Sequence, residues 1–218
     1  MITDAEGFWY PVADHEICIE CGLCEKICPC INNTEEREPN GTYAAISNDE
    51  DIRGQSSSGG IFSLLALGVL KEGGIVVGAA FRDDWQVKML CVSDEKELWR
   101  LRGSKYVQAD TALTYSEVES YLKKGRTVLY SGTPCQIKAL KLFLRKEYHN
   151  LYTVDVACHG VPSPGIWGKY IYEISKTAQR AVDGGSTEFH SLNLISSIKE
   201  IKFREKKYGW RKYRIVFS

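Results

Sequence analysis

The stretch TVLYSGTPCQIKALKLFLRKEYHNLYTVDVACHG, residues 127–160, contains a strand pattern, a helix pattern and a second strand pattern in direct succession. The apolar run "TVLYSG" precedes "TPCQIKALKLFLRKE", whose apolar spacing is that of a helix, and "LYTVDVACHG" again reads as a strand. Neighbouring parallel strands need a crossover connection, which is usually a helix. The stretch therefore predicts a partly parallel sheet covered by helices.

The same alternation extends to both sides of this stretch. We predict two strands, "IVVGAAF" and "VKMLCVS", joined by the turn "RDDW", with Cys91 of the second strand as a core residue. Ser58 is predicted to cap an apolar helix that Gly73 ends. Further helices are predicted in "SDEKELWRLRG", "TALTYSEVESYLKKG" and "SPGIWGKYIYEISKTA". "IKEIKFRE" and "KYRIVFS" alternate apolar with charged residues, which predicts an antiparallel hairpin.

Composition excludes several classes of function. The chain has 28 basic and 28 acidic residues among 218, so its overall field gives no reason to expect binding to nucleic acid. Its longest apolar runs are too short to span a membrane, and its acidic, polar start is not a secretory signal. We therefore expect a soluble cytoplasmic protein. Eight cysteines in a reducing compartment, five of them clustered, indicate metal or redox chemistry.

The cysteine cluster is the run "CIECGLCEKICPC", Cys18 to Cys30. Cys18, Cys21, Cys24 and Cys28, followed by Pro29, have the C-x2-C-x2-C-x3-C-P spacing of a ferredoxin-type 4Fe-4S site. Short gaps let one loop place three sulfurs around a cubane, and Gly22 suits a loop that needs backbone freedom. A structural zinc site is the alternative, but zinc modules usually bring two separate C-x2-C pairs.

The fourth ligand stays open at this point. In two-cluster ferredoxins the last cysteine of each run binds the other cluster, and this sequence contains no second run. Cys28 either completes the local cluster or serves a second cluster whose motif lies outside the sequence. Cys30 is interpreted as a bystander.

The domain boundary is predicted in the polar connector "NNTEEREPNG", Asn32 to Gly41. Residues 1–35 form the ferredoxin-like segment, and residues 42–218 form an α/β domain with some α+β character. The alternation of the last strand is still running at Ser218, so we expect that domain to continue beyond the given sequence.

Two strand ends carry candidate chemistry. Gly132, Thr133, Pro134 and Cys135 lie between a strand and a helix, where free N–H groups suit a phosphate and lower the pKa of a thiol. Cys158 and His159 follow the next strand. If both strands belong to one crossover unit, these residues share the edge where open α/β sheets bind ligands. A small buried cysteine under an ordinary turn is an equally good interpretation of Cys135.

Three other stretches are less specific. "SSSGGIF" allows a ligand to approach the backbone, or simply gives a tightly packed helix start. "RGSKYVQ", Arg102 to Gln108, suits a nucleotide-like ligand. The basic run "KEIKFREKKYGWRKYR" is interpreted as the solvated face of a hairpin in preference to a docking site for an acidic partner or phosphate.

Together, "SSSGGIF", "GSKYVQ", "GTPCQI" and "CHGVPSP", which follow the ferredoxin-type run, resemble the family of coenzyme F-420 hydrogenase/dehydrogenase beta subunits. The resemblance covers nearly the whole chain and keeps the order and spacing of the strings. It implies an iron–sulfur flavoprotein that holds FAD on the α/β part. Many members carry an earlier cysteine motif before a segment like "DAEGFWYP", which leaves room for a second cluster in a full-length protein.

Carried over residue by residue, the resemblance implies Cys18, Cys21, Cys24 and Cys28 as cluster ligands. The implied flavin-binding residues are Ser58, Gly59, Gly60, Gly103, Ser104, Lys105, Tyr106, Gly132, Thr133, Pro134, Cys135 and Gln136. The weak catalytic candidates are Cys135, Cys158 and His159.

Two functions follow as expectations from the sequence and the resemblance. The first is an oxidoreductase that passes electrons between a 4Fe-4S cluster and FAD, with hydride transfer to or from the deazaflavin F-420 or a similar small redox cofactor. The second is a non-catalytic electron-transfer adaptor for a partner enzyme. Both expect a redox partner protein or subunit, and neither expects nucleic acid.

Overall fold

The computed structural model describes residues 2–32, 39–182, 198–207, 209 and 214–218. Its strands are β1 (Ile2–Thr3), β2 (Trp9–Tyr10), β3 (Ile75–Phe81), β4 (Val87–Val92), β5 (Ala109–Asp110), β6 (Val128–Gly132), β7 (Leu151–Asp155), β8 (Ile201–Glu205) and β9 (Arg214–Phe217). Its α-helices are α1 (Leu23–Lys26), α2 (Glu50–Gly54), α3 (Ile61–Lys71), α4 (Thr114–Lys123), α5 (Pro134–Leu144) and α6 (Pro164–Val182). A 3₁₀ helix covers Glu95–Leu101.

The central sheet has five strands in the order β5-β4-β3-β6-β7. Strands β3, β6 and β7 run parallel, with Val77 opposite Tyr130 and Gly132 opposite Asp155. Strand β4 is antiparallel to β3, as the short "RDDW" turn predicts, and β5 runs parallel to β4. The predicted α/β class with a mixed, partly parallel sheet is confirmed.

Helices cover both faces of this sheet because the strand side chains alternate between the faces. On one face Tyr130 and Val77 pack with residues of α4 and α5, including Val118 and Leu140. The other face is covered by α3 and the 3₁₀ helix, where Val76, Leu129, Ala66 and Leu98 form a second buried cluster. The result is a three-layer arrangement with the sheet between two layers of helices.

A third apolar cluster joins the C-terminal elements to the sheet. Trp167 and Ile171 of α6 pack with Val87 of β4 and with Ile201 and Phe203 of β8. Strands β8 and β9 pair antiparallel, which confirms the predicted hairpin, although part of its turn lies outside the described residues. Most of the predicted connector, residues 33–38, also lies outside them.

The predicted helix from "SSSGGIF" exists, but its cap was predicted wrongly. Helix α3 begins at Ile61 and its N-cap is Gly60, in the left-handed region at φ 89°, with no side-chain cap. Ser58 therefore lies two residues before the cap. Gly73, at φ 75°, follows the end of the helix as predicted, and a Cβ on Gly74 would lie 2.8 Å from the Thr127 carbonyl oxygen.

Residues 2–32, the described part of the N-terminal segment, contain only short regular elements. Strands β1 and β2 form a two-stranded hairpin, and α1 is a single turn within the cysteine run. The hairpin turn lies against the start of α6. The approach is so close that a Cβ added to Gly165 would lie 2.6 Å from the Glu6 carbonyl oxygen. The ferredoxin-like segment, predicted at 1–35, stays a prediction as a separate domain.

Candidate cofactor site

The carboxyl ends of β3, β6 and β7 meet at one edge of the sheet because these strands are parallel. The Val156 N–H donates to the Gly132 carbonyl at 2.9 Å, so the two chain segments leave β6 and β7 side by side. Helix α5 follows β6 directly and therefore begins at this same edge. Open α/β sheets bind ligands at such edges.

Helix α5 begins with a capping box at this edge. The Gln136 side-chain oxygen accepts from the Thr133 N–H at 3.0 Å, and Pro134 occupies the first turn. Pro at this position costs no hydrogen bond because the first N–H groups of a helix have no intrahelical partner. The sequence "GTPCQ" thus has a complete local explanation as a helix start.

The three weak catalytic candidates lie in exposed positions at the same edge. The Cys135 sulfur is 3.1 Å from the Thr133 hydroxyl, and the Cys158 sulfur accepts from the Gly160 N–H at 3.4 Å. His159 is exposed beside Cys158. The parallel pairing of β6 and β7 means that Cys135 and Cys158 follow adjacent strand ends. Their chemical roles stay predictions.

Two tyrosines lie beneath Cys135. The Tyr115 hydroxyl donates to the Gln136 carbonyl at 3.1 Å, and burial raises the pKa of Tyr115 to about 12. Tyr130 is fully buried, and burial raises its pKa as well. Cys91 packs against the same core, as predicted, and burial together with the Glu117 carboxylate raises its pKa to about 12. All three groups are therefore neutral at physiological pH.

The glycines before α3 serve close packing of the chain on itself. The Ser47 N–H donates to the Gly59 carbonyl at 2.7 Å, and a Cβ on Gly59 would lie 2.8 Å from the Ala45 carbonyl oxygen. Residues 45–47 thus occupy the space that the small residues leave. This favours the packing interpretation of Gly59 over direct ligand contact.

The predicted loop Gly103–Tyr106 is fixed by hydrogen bonds to its surroundings. The Ser104 N–H donates to the Ser57 hydroxyl at 2.6 Å, which joins this loop to the segment before α3. The partly buried Lys105 ammonium donates to the carbonyls of Arg100 and Arg102 at 2.9 and 2.8 Å. Burial lowers the pKa of Lys105 to about 7.

A groove of about 830 Å³ lies beside this loop, at the carboxyl end of β3. Three chain segments form most of its wall, namely 54–57 at the end of α2, 102–105, and 198–206 with β8. Phe81, Trp85 and Trp99 also line it. The predicted residues Gly103, Ser104 and Lys105 contribute, whereas Ser58–Gly60, Tyr106 and Gly132–Gln136 are not among its lining residues.

The lining of the groove is strongly basic. Its cations are Arg82, Arg100, Arg102, Lys105, Lys199, Lys202, Arg204 and Lys206, and its carboxylates are Asp83, Glu200 and Glu205. The sequence interpretation assigned the cations of β8 to a solvated hairpin face and so missed them. The signal was present in the basic run at 199–214, but only folding brings its residues 199–206 together with residues 54–57 and 102–105 around one groove.

Lys206 hydrogen-bonds the segment after β8 to the chain around α2 and the start of α3. Its ammonium is 3.3 Å from the carbonyl oxygens of Arg53 and Ser58. Burial, followed by the charges of Arg204 and Arg53, lowers the pKa of Lys206. The Lys206 ammonium therefore lies close to the guanidinium groups of Arg204 and Arg53.

The cysteine run forms an exposed loop around α1. Gly22 has φ 65° immediately before this turn, and the Asn32 amide donates to the carbonyls of Glu25 and Cys28 at 2.7 and 2.9 Å. Cys18, Cys21 and Cys24 are exposed and Cys28 is half-buried, all as free thiols. Within the described residues no three potential metal ligands converge.

Cys28 has an environment that favours a thiolate. Hydrogen bonds from the main chain at Cys30 and Ile31 lower its pKa, and the Lys138 ammonium of α5 adds to the effect. The cysteine loop therefore lies near the first half of α5, the helix that begins at the carboxyl end of β6. The candidate metal ligands and the sheet edge are on neighbouring parts of the molecule.

The mixed sheet with helices on both faces and a basic groove at its carboxyl edge defines the protein as α/β. The chain matches "Coenzyme F420 hydrogenase/dehydrogenase, beta subunit N-term" over residues 42–114 and the C-terminal domain of the same subunit over residues 125–211. The chain belongs to this family, as the sequence resemblance indicated.

Two curated relatives are F420-linked proteins of methanogenic archaea, by their names. The chain is 24% identical over 132 residues to the F subunit of the F(420)H(2) dehydrogenase of Methanosarcina mazei, covering 60% of this chain and 37% of the relative. It is 28% identical over 149 residues to the coenzyme F420-dependent sulfite reductase of Methanocaldococcus jannaschii, covering 65% of this chain and 23% of the relative. The chain thus spans well under half the length of either relative.

Among solved structures, a chain of the F420-reducing [NiFe] hydrogenase complex from Methanosarcina barkeri is similar, with 21% sequence identity and a TM-score of 0.48. The match covers 79% of this chain and 58% of that chain. In the part of this chain that the structure describes, no helix has both the length and the apolar character needed to cross a membrane.

Proposed function

We propose that this chain is an iron–sulfur flavoprotein that passes electrons between a 4Fe-4S cluster and FAD, for hydride transfer to or from F420 or a similar acceptor. The basic groove at the carboxyl end of β3 carries the proposal. The family and the F420-linked names of the two curated relatives support the redox assignment.

The groove fits a flavin dinucleotide in size and chemistry. Its volume of about 830 Å³ lies within the range of small-molecule sites, roughly 300–1,000 Å³. Aromatic side chains line one part of it, which suits flat rings, and cations line the rest, which suits phosphates. A bound flavin supplies the conversion between one-electron and two-electron transfer. The chain's own residues bind and orient it.

The cysteine loop fits an iron–sulfur cluster in its donor chemistry. Cys18, Cys21, Cys24 and Cys28 are free thiols within one short, exposed loop, and thiolates are the ligands that such clusters use. The lowered pKa of Cys28 favours the thiolate form there. We assign these four residues as the cluster ligands, with Cys28 as the local fourth ligand.

The spectrum of anaerobically purified protein tests both cofactors. We expect broad iron–sulfur absorbance together with flavin bands, and iron near four atoms per chain, as a single cubane requires. Absorbance without flavin bands refutes the flavin assignment, and zinc without iron refutes the cluster.

Substitution of single cysteines tests the ligand assignment. Cys21→Ser is expected to reduce the iron content severely because it removes a thiolate from the ligand set. Cys30→Ser is the matched control, since Cys30 is an equally exposed cysteine of the same loop that we do not assign as a ligand. Equal iron loss in both variants contradicts the assignment.

A second candidate function is an electron-transfer adaptor without substrate chemistry. Large apolar side chains surround the cysteine loop and face solvent, with Ile17, Ile19 and Ile31 at 77%, 84% and 66% exposure. Such residues favour contact with a partner protein that exchanges electrons with the cluster. Turnover of an artificial acceptor with reduced F420 or a nicotinamide donor separates the two functions, since an adaptor with bound flavin gives none.

A further inference from the structure

The segment that carries the cysteine loop has a charge that the rest of the molecule does not share. Residues 2–32 contain six of the 28 acidic residues of the chain but only one of its 28 basic residues, Lys26. All six carboxylates in this segment are exposed. The remainder of the chain carries the compensating excess of cations, so the overall charge of zero hides a separation of sign between the cysteine segment and the rest.

We propose that the exposed face of the cysteine loop is a docking surface for a basic redox protein, which an acidic rim around an isoleucine centre holds transiently. This inference rests on the proposed cluster, because the partner exchanges electrons with it. It adds the chemical class of the partner, namely a protein with lysines and arginines around the exposed edge of its own redox group. The acidic docking surface consists of Glu16, Ile17, Ile19, Glu20, Glu25 and Ile31.

The centre of the acidic docking surface is apolar and flanks the proposed cluster ligands. Ile17 and Ile19 lie on either side of Cys18, and Ile31 follows Cys30. The three isoleucine side chains face solvent, and their removal from water stabilises a complex that covers them. An apolar centre with charged groups at its edge is the usual arrangement of a non-obligate protein interface.

The carboxylates of the rim have no partner within the molecule. Asp4 and Asp14 differ, because their side chains accept main-chain N–H groups of their own turns. Glu16, Glu20 and Glu25 form no ion pair with any residue that the structure describes. Their charge is therefore not neutralised locally, and its field is available to an approaching protein.

The sign and the size of the acidic docking surface select one kind of partner. A negative rim speeds the approach of a positively charged protein and opposes acidic electron carriers. Three isoleucines make a small apolar contact, and electron-transfer complexes are small, burying less than about 1,200 Å². The proposed ligands Cys18, Cys21 and Cys24 lie in the same exposed loop, so a protein docked here contacts the loop that binds the cluster.

Electron transfer to a basic cytochrome c tests the inference on the anaerobically purified 218-residue chain. One electron passes from the reduced cluster to the ferric haem, which becomes ferrous, and stopped-flow absorbance follows the reaction. We expect the second-order rate constant to fall at least about tenfold between about 0.05 M and about 0.5 M salt, because screening removes the attraction. An acidic ferredoxin is expected to accept electrons more slowly than cytochrome c at the lower salt concentration.

Two double variants with the same change in net charge show whether the attraction is local. Glu16→Gln/Glu20→Gln neutralises the rim, and Glu72→Gln/Glu95→Gln neutralises two exposed carboxylates at the end of α3 and the start of the 3₁₀ helix. We expect the first to slow transfer to cytochrome c about three- to tenfold at about 0.05 M salt, and the second less than about twofold. Ile19→Ser is expected to slow transfer at both salt concentrations, because an apolar contact is not screened.

The iron content and the reduction of ferricyanide, a small anion that needs no docking surface, show that each variant retains its cluster. Transfer to cytochrome c that is insensitive to salt, or equally sensitive to both double variants, overturns the inference and leaves the cluster function intact. Faster transfer to the acidic ferredoxin at about 0.05 M salt also overturns it. Self-association on gel filtration that Glu16→Gln/Glu20→Gln abolishes assigns the surface to a second copy of the chain and overturns the inference. A folded wild-type chain that contains no iron refutes both proposals.

Discussion

Lys105 shows how strongly a single residue depends on its surroundings. The sequence places it in a loop of Gly, Ser and Tyr that suits a ligand, and in the structure its ammonium is instead directed to the carbonyls of Arg100 and Arg102. Its role in the groove wall is thus to hold the loop that carries Arg102. Ser58 shows the same dependence, because Ser is a favourable N-cap residue and yet Gly60 occupies the N-cap position of α3.

The pKa of Lys105 predicts a pH dependence of stability. Its folded pKa of about 7 lies below the ordinary value of 10.5, so the unfolded chain binds more protons between those two values. The free energy of unfolding contributed by this group therefore rises with pH across that window and is constant below it. We expect the free energy of unfolding of the wild type to rise relative to that of Lys105→Met between about pH 7 and about pH 9.

Urea denaturation of both proteins at several pH values measures that difference, and other titrating groups cancel in the comparison. Lys71→Met, on an exposed lysine at the end of α3, is the control for the loss of a lysine side chain at the surface. A difference that is flat with pH for Lys105→Met contradicts the prediction.

At the scale of elements, the start of α5 was the most predictable part of the site. A strand, a Gly, a Thr-Pro pair and Gln136 specify a capped helix through local hydrogen bonds, and the structure has that cap. The local sequence does not determine whether the start of α5 also contacts a ligand. The groove at the carboxyl end of β3 is lined by other segments, so the contacts implied for Gly132–Gln136 stay predictions.

The cap itself predicts a loss of stability in one variant. Gln136→Met removes the acceptor of the Thr133 N–H, and we expect the free energy of unfolding to fall by about 1 kcal/mol. Gln136→Glu is the matched control because a carboxylate also accepts this bond and is favourable near a helix N-terminus. Urea denaturation of the two variants compares them, and equal losses would show that the hydrogen bond contributes nothing.

At the scale of the whole molecule, contacts between distant segments place the hairpins. The turn after β1 meets the first turn of α6, where the Glu6 carbonyl approaches Gly165 so closely that no side chain fits. Lys206 similarly joins the segment after β8 to residues 53 and 58. These contacts bring the N-terminal segment and β8 to the α/β core.

The contact at Gly165 predicts a specific intolerance to a methyl group. Gly165→Ala would place a Cβ 2.6 Å from a main-chain oxygen, and backbone cannot yield as a side chain can. We expect a loss of roughly 1–3 kcal/mol in the free energy of unfolding. Gly168→Ala on the same helix is the control, since its nearest neighbour is the Gln86 amide at 3.4 Å and Ala favours helix. Thermal and urea unfolding compare them, and a Gly165→Ala protein as stable as Gly168→Ala contradicts the close contact.

The sequence by itself determined the main strands and helices of the α/β part, the class of the sheet and the candidate thiol ligands. These depend on apolar periodicity, on capping residues and on the spacing of cysteines, all of which act over a few neighbouring residues. Only the tertiary structure decided which segments share a groove. Arg102 and the cations of β8 are about a hundred residues apart in the chain, and no local pattern encodes their meeting. Packing of α6 and β8 on the sheet brings them together, because the apolar cluster around Trp167 and Phe203 is buried only in that arrangement.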